Sequence, residues 1–383
     1  MTGRPPDVVV IGGGIVGTSA AALLAEAGAA VLIVEREGLA SGASGANSGV
    51  VQHPFDPVLA ALYRETLVMY RGLSDADVGF ELAPEPAGML YLSADERAVR
   101  AMDREIAERF PDLAHEVVAD ETLRLVDPAG APGLWACRVG IGYPVQPAAS
   151  TYAYAHVAEQ LGVAIRTGRG ASLELDGDRV VGVAVDGSRI PAASVLVAAG
   201  PWSTGVIDPS GRWEPIRPRW GVVVETELPA GPRHVLEGAE ITAAIGPPAD
   251  DGPLAFDPDE AIEDFSLVPL GSGASVGSTF LANEPDPEAW IERLLVRASR
   301  FVPSVLDAPI RGTRSCARPQ SLDGRPLVGA VPGRRGLYLC AGHGPWGIST
   351  GPGSARLVTD EILGRDPAIP RELAPGRFGP LPS

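Results

Sequence analysis

Gly12-Gly13-Gly14-Ile15-Val16-Gly17, close to the start of the chain, places three glycines at the spacing Gly-x-Gly-x-x-Gly, and Glu35 follows Gly12 by 23 residues. This combination suits a pyrophosphate and a ribose. Gly12 permits a tight turn, Gly14 lets backbone amides approach phosphate oxygens, and Gly17 lets the next helix lie close to the preceding strand. The start of that helix adds free amides and the positive end of its dipole. A carboxylate at Glu35 accepts from the hydroxyls of an adenosine ribose and disfavours a 2′-phosphate. The chemistry is dinucleotide binding.

Local elements must position these groups. Residues 7–11 form a β-branched apolar run without alternation, as in a strand buried on both faces. Residues 18–27 read as a helix closed by Gly28, and 30–34 as a second strand ending at Glu35. Residues 42–50 carry small side chains, hydroxyls and one amide without charge, which suits a loop lying against a flat ligand. Asp56-Pro57 starts a helix to about 73, Ser93 opens a capping box for a helix to about 110, and another helix covers about 152–161. Strands are expected from 163, at 171–175, 179–185, from 194 to the Ala-Ala-Gly at 198–200, and at 221–227, 265–270 and 336–340, and helices at 287–301 and 353–363.

Composition narrows the function. The 383 residues include 31 basic and 48 acidic side chains, a net charge of −17, and every basic residue is arginine. Without lysine there is no Schiff base with a carbonyl or pyridoxal phosphate, and no Walker-type phosphate loop. An acidic chain repels nucleic acid and anionic membrane, so neither is an expected partner. The length calls for two domains. Cys137, Cys316 and Cys340 are too scattered for a disulfide framework or zinc site, so no metal is expected and a reducing, cytoplasmic setting is read. The apolar stretch after Arg4 is broken by glycines and carries Glu26, so it is read as neither leader nor membrane span.

Two later segments are equally distinctive. Residues 315–329 read Ser-Cys-Ala-Arg-Pro-Gln-Ser-Leu-Asp-Gly-Arg-Pro-Leu-Val-Gly, and 341–352 read Ala-Gly-His-Gly-Pro-Trp-Gly-Ile-Ser-Thr-Gly-Pro. With the N-terminal motif and residues 42–49, they resemble the FAD-dependent D-amino acid oxidase superfamily, in its glycine oxidase and monomeric sarcosine oxidase branch. The resemblance covers residues 1–50 and roughly 140–205 and 312–365. It implies an α/β fold in which a Rossmann-type FAD-binding domain (1–75, 140–205 and 312–370) interleaves with a mixed-sheet α+β substrate domain (76–139 and 206–311), followed by a tail, 371–383. It implies FAD contacts at Gly12, Gly14, Ile15, Val16, Gly17, Glu35, Arg36, Ala43, Ser44, Asn47, Ser48, Gly49, Val50, Ala171, Ala199, Gly200, Trp202, Arg318, Gly342, Gly344, Trp346, Gly347, Ile348 and Ser349.

The activity that the resemblance implies is oxidation of a small amine or amino acid. Hydride passes from the carbon next to nitrogen to the flavin, an imine forms, and oxygen (giving hydrogen peroxide) or another acceptor reoxidises the cofactor. Arg318 matches the family's carboxylate-binding arginine, suited to bidentate capture. A structural ion pair with Asp323 is the competing reading. His343 is a candidate for proton transfer, and His53 is placed near the flavin. Ser266 stands where glycine oxidase-like proteins carry a carboxylate-holding tyrosine, which implies a wider pocket, with Trp346, Trp220, Tyr143 and Phe265 as candidate walls. His115, His156 and His234 read as surface or helix positions. Cys316, seven residues before Asp323, has the spacing of the covalent flavin-attachment cysteine of sarcosine oxidase-like proteins. Arg314 and Arg318 would lower its pKa. Glycine oxidase-like members bind FAD without a bond, and that is the reading preferred here. Two alternatives stand beside amine oxidation: a 2-hydroxy acid oxidase or dehydrogenase, whose relatives favour histidine where Gln52 sits, and a non-catalytic flavoprotein subunit of a heteromeric complex.

Overall fold

The computed structural model describes residues 4–239 and 261–382, so 240–260 of the expected substrate domain lie outside the described residues. A six-stranded sheet runs in the order Leu327–Ala330, Leu337–Ala341, Ser194–Val197, Val8–Ile11, Val31–Val34, Ala164–Arg166. Its pairings are parallel except that between the first two strands. Val9, Val10 and Ile33 in its centre are fully buried. Each such side chain contributes about 1.5–3 kcal/mol by leaving water. Four helices, Ile15–Glu26, Pro57–Asp75, Ala149–Gln160 and Gly347–Ile362, cover one face, and a three-stranded sheet from Ala171–Asp176, Arg179–Val185 and Ser188–Pro191 covers the other.

The second large sheet has eight strands in the order Ile310–Ser321, Ile216–Glu227, Gly273–Phe280, Ile262–Leu270, Val235–Gly238, Met89–Ser93, Trp135–Val139, His115–Ala119. All its pairings are antiparallel except Val235–Gly238 with Met89–Ser93. The helix Ile291–Ala298 packs on one face, and Glu96–Arg109 packs against the strands around Met89 and Tyr91.

Several local expectations shift. The boundary read at residue 312 falls inside a strand, because Ile310–Ser321 pairs along Ile216–Glu227 from Ile216↔Ser321 to Thr226↔Ile310. The N-cap read at Ser93 is Asp95, whose carboxylate accepts from Arg97 N–H at 2.9 Å. Ser93 instead closes the strand, and its hydroxyl accepts from Asp95 N–H at 3.1 Å. The final helix starts at Gly347, ahead of Gly351-Pro352, not after them. A helical proline leaves the carbonyl four residues earlier without its donor. Here that carbonyl, on Ile348, accepts from the Tyr70 hydroxyl at 2.8 Å, which replaces the missing donor. Residues 42–50 contain a helical turn, Ala43–Ala46, and the strand Val50–Val51. His234 is buried rather than on the surface, its Nδ1 3.1 Å from the Asp127 carboxylate.

Candidate active site

A cavity of about 800 Å³ is lined by residues of both large sheets. This lies in the upper range for small-molecule and cofactor sites. At one end lie Gly12, Gly14, Ile15, Val16, Glu35, Arg36, Ala171, Ala199, Gly200 and Trp202. Gly12 has φ +121°, and a Cβ there would stand 2.3 Å from the Ala198 carbonyl oxygen. The turn therefore closes only on glycine. The Glu35 carboxylate accepts from Gly13 N–H at 2.6 Å and Glu37 N–H at 2.8 Å, which fixes it at the mouth of the turn with acceptor sites to spare. The helix Ile15–Glu26 has no side-chain cap and no acid in its first turn. Ser44 Oγ accepts from Ile15 N–H at 2.9 Å, and the neighbouring first-turn amides are left for an anion. Farther out, the Arg36 guanidinium lies 4.8 Å from the centre of the Trp202 ring, forming a flat wall. A glycine cradle, uncapped amides, a ribose-height carboxylate and a flat outer wall are the donor set and shape that FAD requires. Gly17 sits outside the lining: its Cβ would meet the Gly12 carbonyl oxygen at 2.0 Å, so it serves the close helix–strand approach.

The middle of the cavity is bounded by Ala43, Ser44, Asn47, Ser48 and Val50 on one side and by His343, Gly344, Gly347 and Ile348 on the other. Asn47 shapes its loop, donating to the Ala43 and Ser44 carbonyls at 3.1 and 2.9 Å and accepting from Gly49 N–H at 2.9 Å. Gly347 and Ile348 begin a sixteen-residue helix, so their amides have no intrahelical acceptor. Four residues expected at the cofactor lie behind this wall. A Gly49 Cβ would stand 2.6 Å from the Val145 carbonyl oxygen, Gly342 packs against Ser321 and Ile216, Trp346 is core, and Ser349 Oγ accepts from Gln52 N–H at 3.0 Å. A one-residue bridge pairs Gln320 with His343, and a Cβ at Gly344 would meet Gln320 Oε1 at 2.6 Å.

The two expected histidines part company. His343 lines the cavity, and its Nε2 lies 3.0 Å from Ser354 Oγ. Because Ser354 donates to the Thr350 carbonyl, the ring N–H is assigned to Nε2. Burial pushes its pKa down to about 4, so it is a neutral imidazole near pH 7. His53 lies edge-on to Phe55, Tyr63 and Phe110, outside the cavity lining, and burial with Arg64 nearby holds it at about 4 as well.

The far end is the face of the eight-stranded sheet. The Arg318 guanidinium donates to the Thr279 carbonyl at 2.7 Å and to Ser278 Oγ at 2.9 Å, and sits 4.3 Å from the Phe280 ring centre. It folds over Gly221, where a Cβ would stand 2.4–2.5 Å from its terminal atoms. Desolvation, with Arg219 nearby, lowers its pKa from the ordinary value, and among the described residues no carboxylate pairs with it. The ion pair considered with Asp323 is not formed. Asp323 pairs with Arg377 at 2.6 Å, since it lies beyond the strand end in the following turn. Ser266 lines the cavity beside Gly277, and Trp220 also lines it, whereas Phe265 and Tyr143 are core. Cys316 lines the cavity too, with Sγ 3.7 Å from the Ala46 carbonyl oxygen. Its thiol pKa is raised, because desolvation outweighs Arg318 and Arg314, the reverse of the effect expected from those neighbours. Glu237, Gly221, Ser278 and Phe280 are cavity residues that sequence reasoning missed. Their common signal is cross-strand register, which no local motif carries.

The D-amino acid oxidase family model of FAD-dependent oxidoreductases matches residues 7–361. The chain is 30% identical to glycine oxidase of Pseudomonas aeruginosa over 392 aligned positions, covering 96% of this chain and 98% of that one. It is 28% identical to D-amino acid dehydrogenase of Cereibacter sphaeroides, covering 97% and 96% of the two chains. Glycine oxidase from Bacillus cereus superposes with a TM-score of 0.80 at 24% identity, over 94% of this chain and 95% of that structure. The protein is thus an FAD-dependent oxidoreductase, and the chain belongs to the D-amino acid oxidase family. Among the described residues, no helix is long and apolar enough to cross a membrane.

Proposed function

We propose that this enzyme oxidises small amino acids at the carbon bonded to nitrogen, holding the substrate carboxylate on Arg318. The observation that carries this reading is a guanidinium in the cofactor cavity that is desolvated, oriented by Thr279 and Ser278, and unpaired with any acid among the described residues. A cation so placed is costly until an anion reaches it. Bound FAD supplies the hydride acceptor. The chain's own work is to fix the acid, to turn the adjacent carbon toward the cofactor, and to exclude water. Gly347 and Ile348 amides would stabilise negative charge on the reduced ring edge. Ser266 leaves room for more than glycine. His343, neutral and tied to Ser354, orients rather than titrates near pH 7.

FAD is held without a covalent bond in this reading, because the raised pKa of Cys316 leaves little thiolate. The FAD-binding domain in this reading comprises residues 1–75, 140–205 and the part of 312–370 that follows the strand Ile310–Ser321, which itself belongs to the eight-stranded sheet. Three unpaired, buried cysteines suit a reducing, cytoplasmic setting. Oxygen or another acceptor closes the cycle. Anaerobic mixing with amines, amino acids and 2-hydroxy acids tests the reading through the flavin absorbance. Bleaching by amino acids supports it; bleaching by 2-hydroxy acids alone, or by none of the panel, overturns it.

A further inference from the structure

Glu237 is a cavity residue without a structural reason to be charged. It is 6% exposed and lies on the inner strand Val235–Gly238. Among the described residues, its one side-chain hydrogen bond comes from Gln52 Nε2 to Oε1, at 3.2 Å. No arginine or histidine pairs with it among the described residues, and its charged neighbour is another acid, Asp264. Gln52, also in the lining, has its own Oε1 buried without a partner among the described residues. Ser266 Oγ, directly opposite Glu237 across the strand pair, makes no hydrogen bond among the described residues. Gln52 Oε1, the Glu237 carboxyl and the Ser266 hydroxyl therefore face one end of the cavity with acceptor capacity to spare. Buried acceptors in such a state cost free energy that a ligand N–H can recover.

The register sets the distance to the acid anchor. Arg318 reaches Ser278 on Gly273–Phe280, Gly277 of that strand faces Ser266, and Ser266 faces Glu237. Two strand spacings separate Ser278's strand from Glu237's, roughly 10 Å. Between them, Gly277 leaves the Ser266 hydroxyl unobstructed, since a Cβ there would stand 3.1 Å from Ser266 Oγ. A 2-amino acid carries its carboxylate and its nitrogen on one carbon, so groups that reach into one cavity from strands two apart can hold both ends.

We infer that Glu237, with Gln52 Oε1 beside it, is the amine-binding group of this site, so that the enzyme recognises substrates by a carboxylate on Arg318 and an N–H-bearing ammonium on Glu237. This rests on the amino acid reading above and narrows it to primary and secondary amines. Burial raises the pKa of Glu237 to about 8, so the free carboxyl keeps its proton near pH 7 and releases it to solvent when the ammonium binds.

Three acids of similar shape, none with a hydrogen on the carbon to be oxidised, separate the two readings: 2-aminoisobutyrate, 2-hydroxyisobutyrate and 2,2-dimethylpropanoate. Their dissociation constants with the FAD-loaded protein are read from calorimetry and the flavin absorbance shift, without turnover. The wild type is expected to bind the amine at least ~10-fold tighter than the methyl compound, with the hydroxyl between. Glu237→Gln should shrink that gap to about twofold and leave the methyl compound's affinity within about twofold. Arg318→Met should weaken all three. A gap that survives Glu237→Gln, or equal affinities in the wild type while Arg318→Met still weakens binding, overturns the Glu237 assignment and spares the acid reading. No binding of any of the three removes both. Loss of FAD from Glu237→Gln would make the residue part of the cofactor seat and also overturn the assignment.

Discussion

The two ends of the cavity are built by different means. At the nucleotide end the work is done by backbone. Gly12 turns where no side chain fits, and the first-turn amides after Ile15, whose own N–H goes to Ser44 Oγ, are left open. At the substrate end the work is done by side chains standing on a sheet face, with Gly221 and Gly277 making room for Arg318 and Ser266. Backbone sites are local in sequence, because a turn and a helix start occupy a handful of consecutive residues. Sheet-face sites collect neighbours from strands dozens of residues apart. A backbone cradle therefore tolerates change poorly and serves one ligand, whereas a sheet face can be re-lettered residue by residue.

That contrast can be broken or sharpened experimentally. Arg318→Met should have the largest effect, lowering the rate of flavin reduction per substrate concentration at least ~1000-fold, about 4 kcal/mol, with FAD content unchanged. Equal rates would remove the side-chain account of the substrate end. Gly12→Ala comes next, because it combines positive φ with a clash against Ala198. Roughly 3 kcal/mol of stability and most of the bound flavin should be lost, measured by thermal unfolding and by the flavin-to-protein absorbance ratio. Full flavin retention would show that the turn is less constrained than its geometry states.

The pH dependence offers a third comparison. The His343 pKa, about 4 when folded, lies below the ordinary 6.5. The unfolded chain therefore takes up the proton first as pH falls. Stability from the neutral ring is present above about 6.5 and is lost on descending through about 4, on the order of 3 kcal/mol. His343→Gln should flatten that acid limb in thermal scans, and an unchanged limb would refute the assignment. Gly221→Ala is milder. A methyl pushed against the Arg318 guanidinium should cost ~10-fold in substrate affinity while FAD stays bound. Smallest of all is Cys316→Ser, for which flavin released by denaturation should match the wild type, with nothing yellow left on either chain.

Legibility in the sequence follows the same division. The unit Val8–Val34 could be read because strand, turn and helix are each announced by neighbouring residues. The substrate face could not, since the pairings Glu237↔Ser266 and Ser266↔Gly277 depend on register and on a bulge between Glu263 and Ser266. Burial of His234 and His53 was also hidden: one rests on Asp127 from a distant turn, the other on aromatic rings from three elements. The late helix start was misread because local chemistry says that Gly351-Pro352 breaks a helix, and the compensating Tyr70 hydroxyl comes from residues 57–75.

The bridge between Gln320 and His343 ties two of these parts together. Gln320 is two residues past Arg318, and His343 is four before Gly347. The proposed acid anchor and the helix-start amides thus share one short span of paired backbone. It acts as a ruler: the offset between a bound carboxylate and the amides at the cofactor is set by a single local geometry, whatever the outer strands do. Changes at Ser266 or Glu237 can then alter which molecule is taken without moving the zero mark from which its reacting carbon is measured.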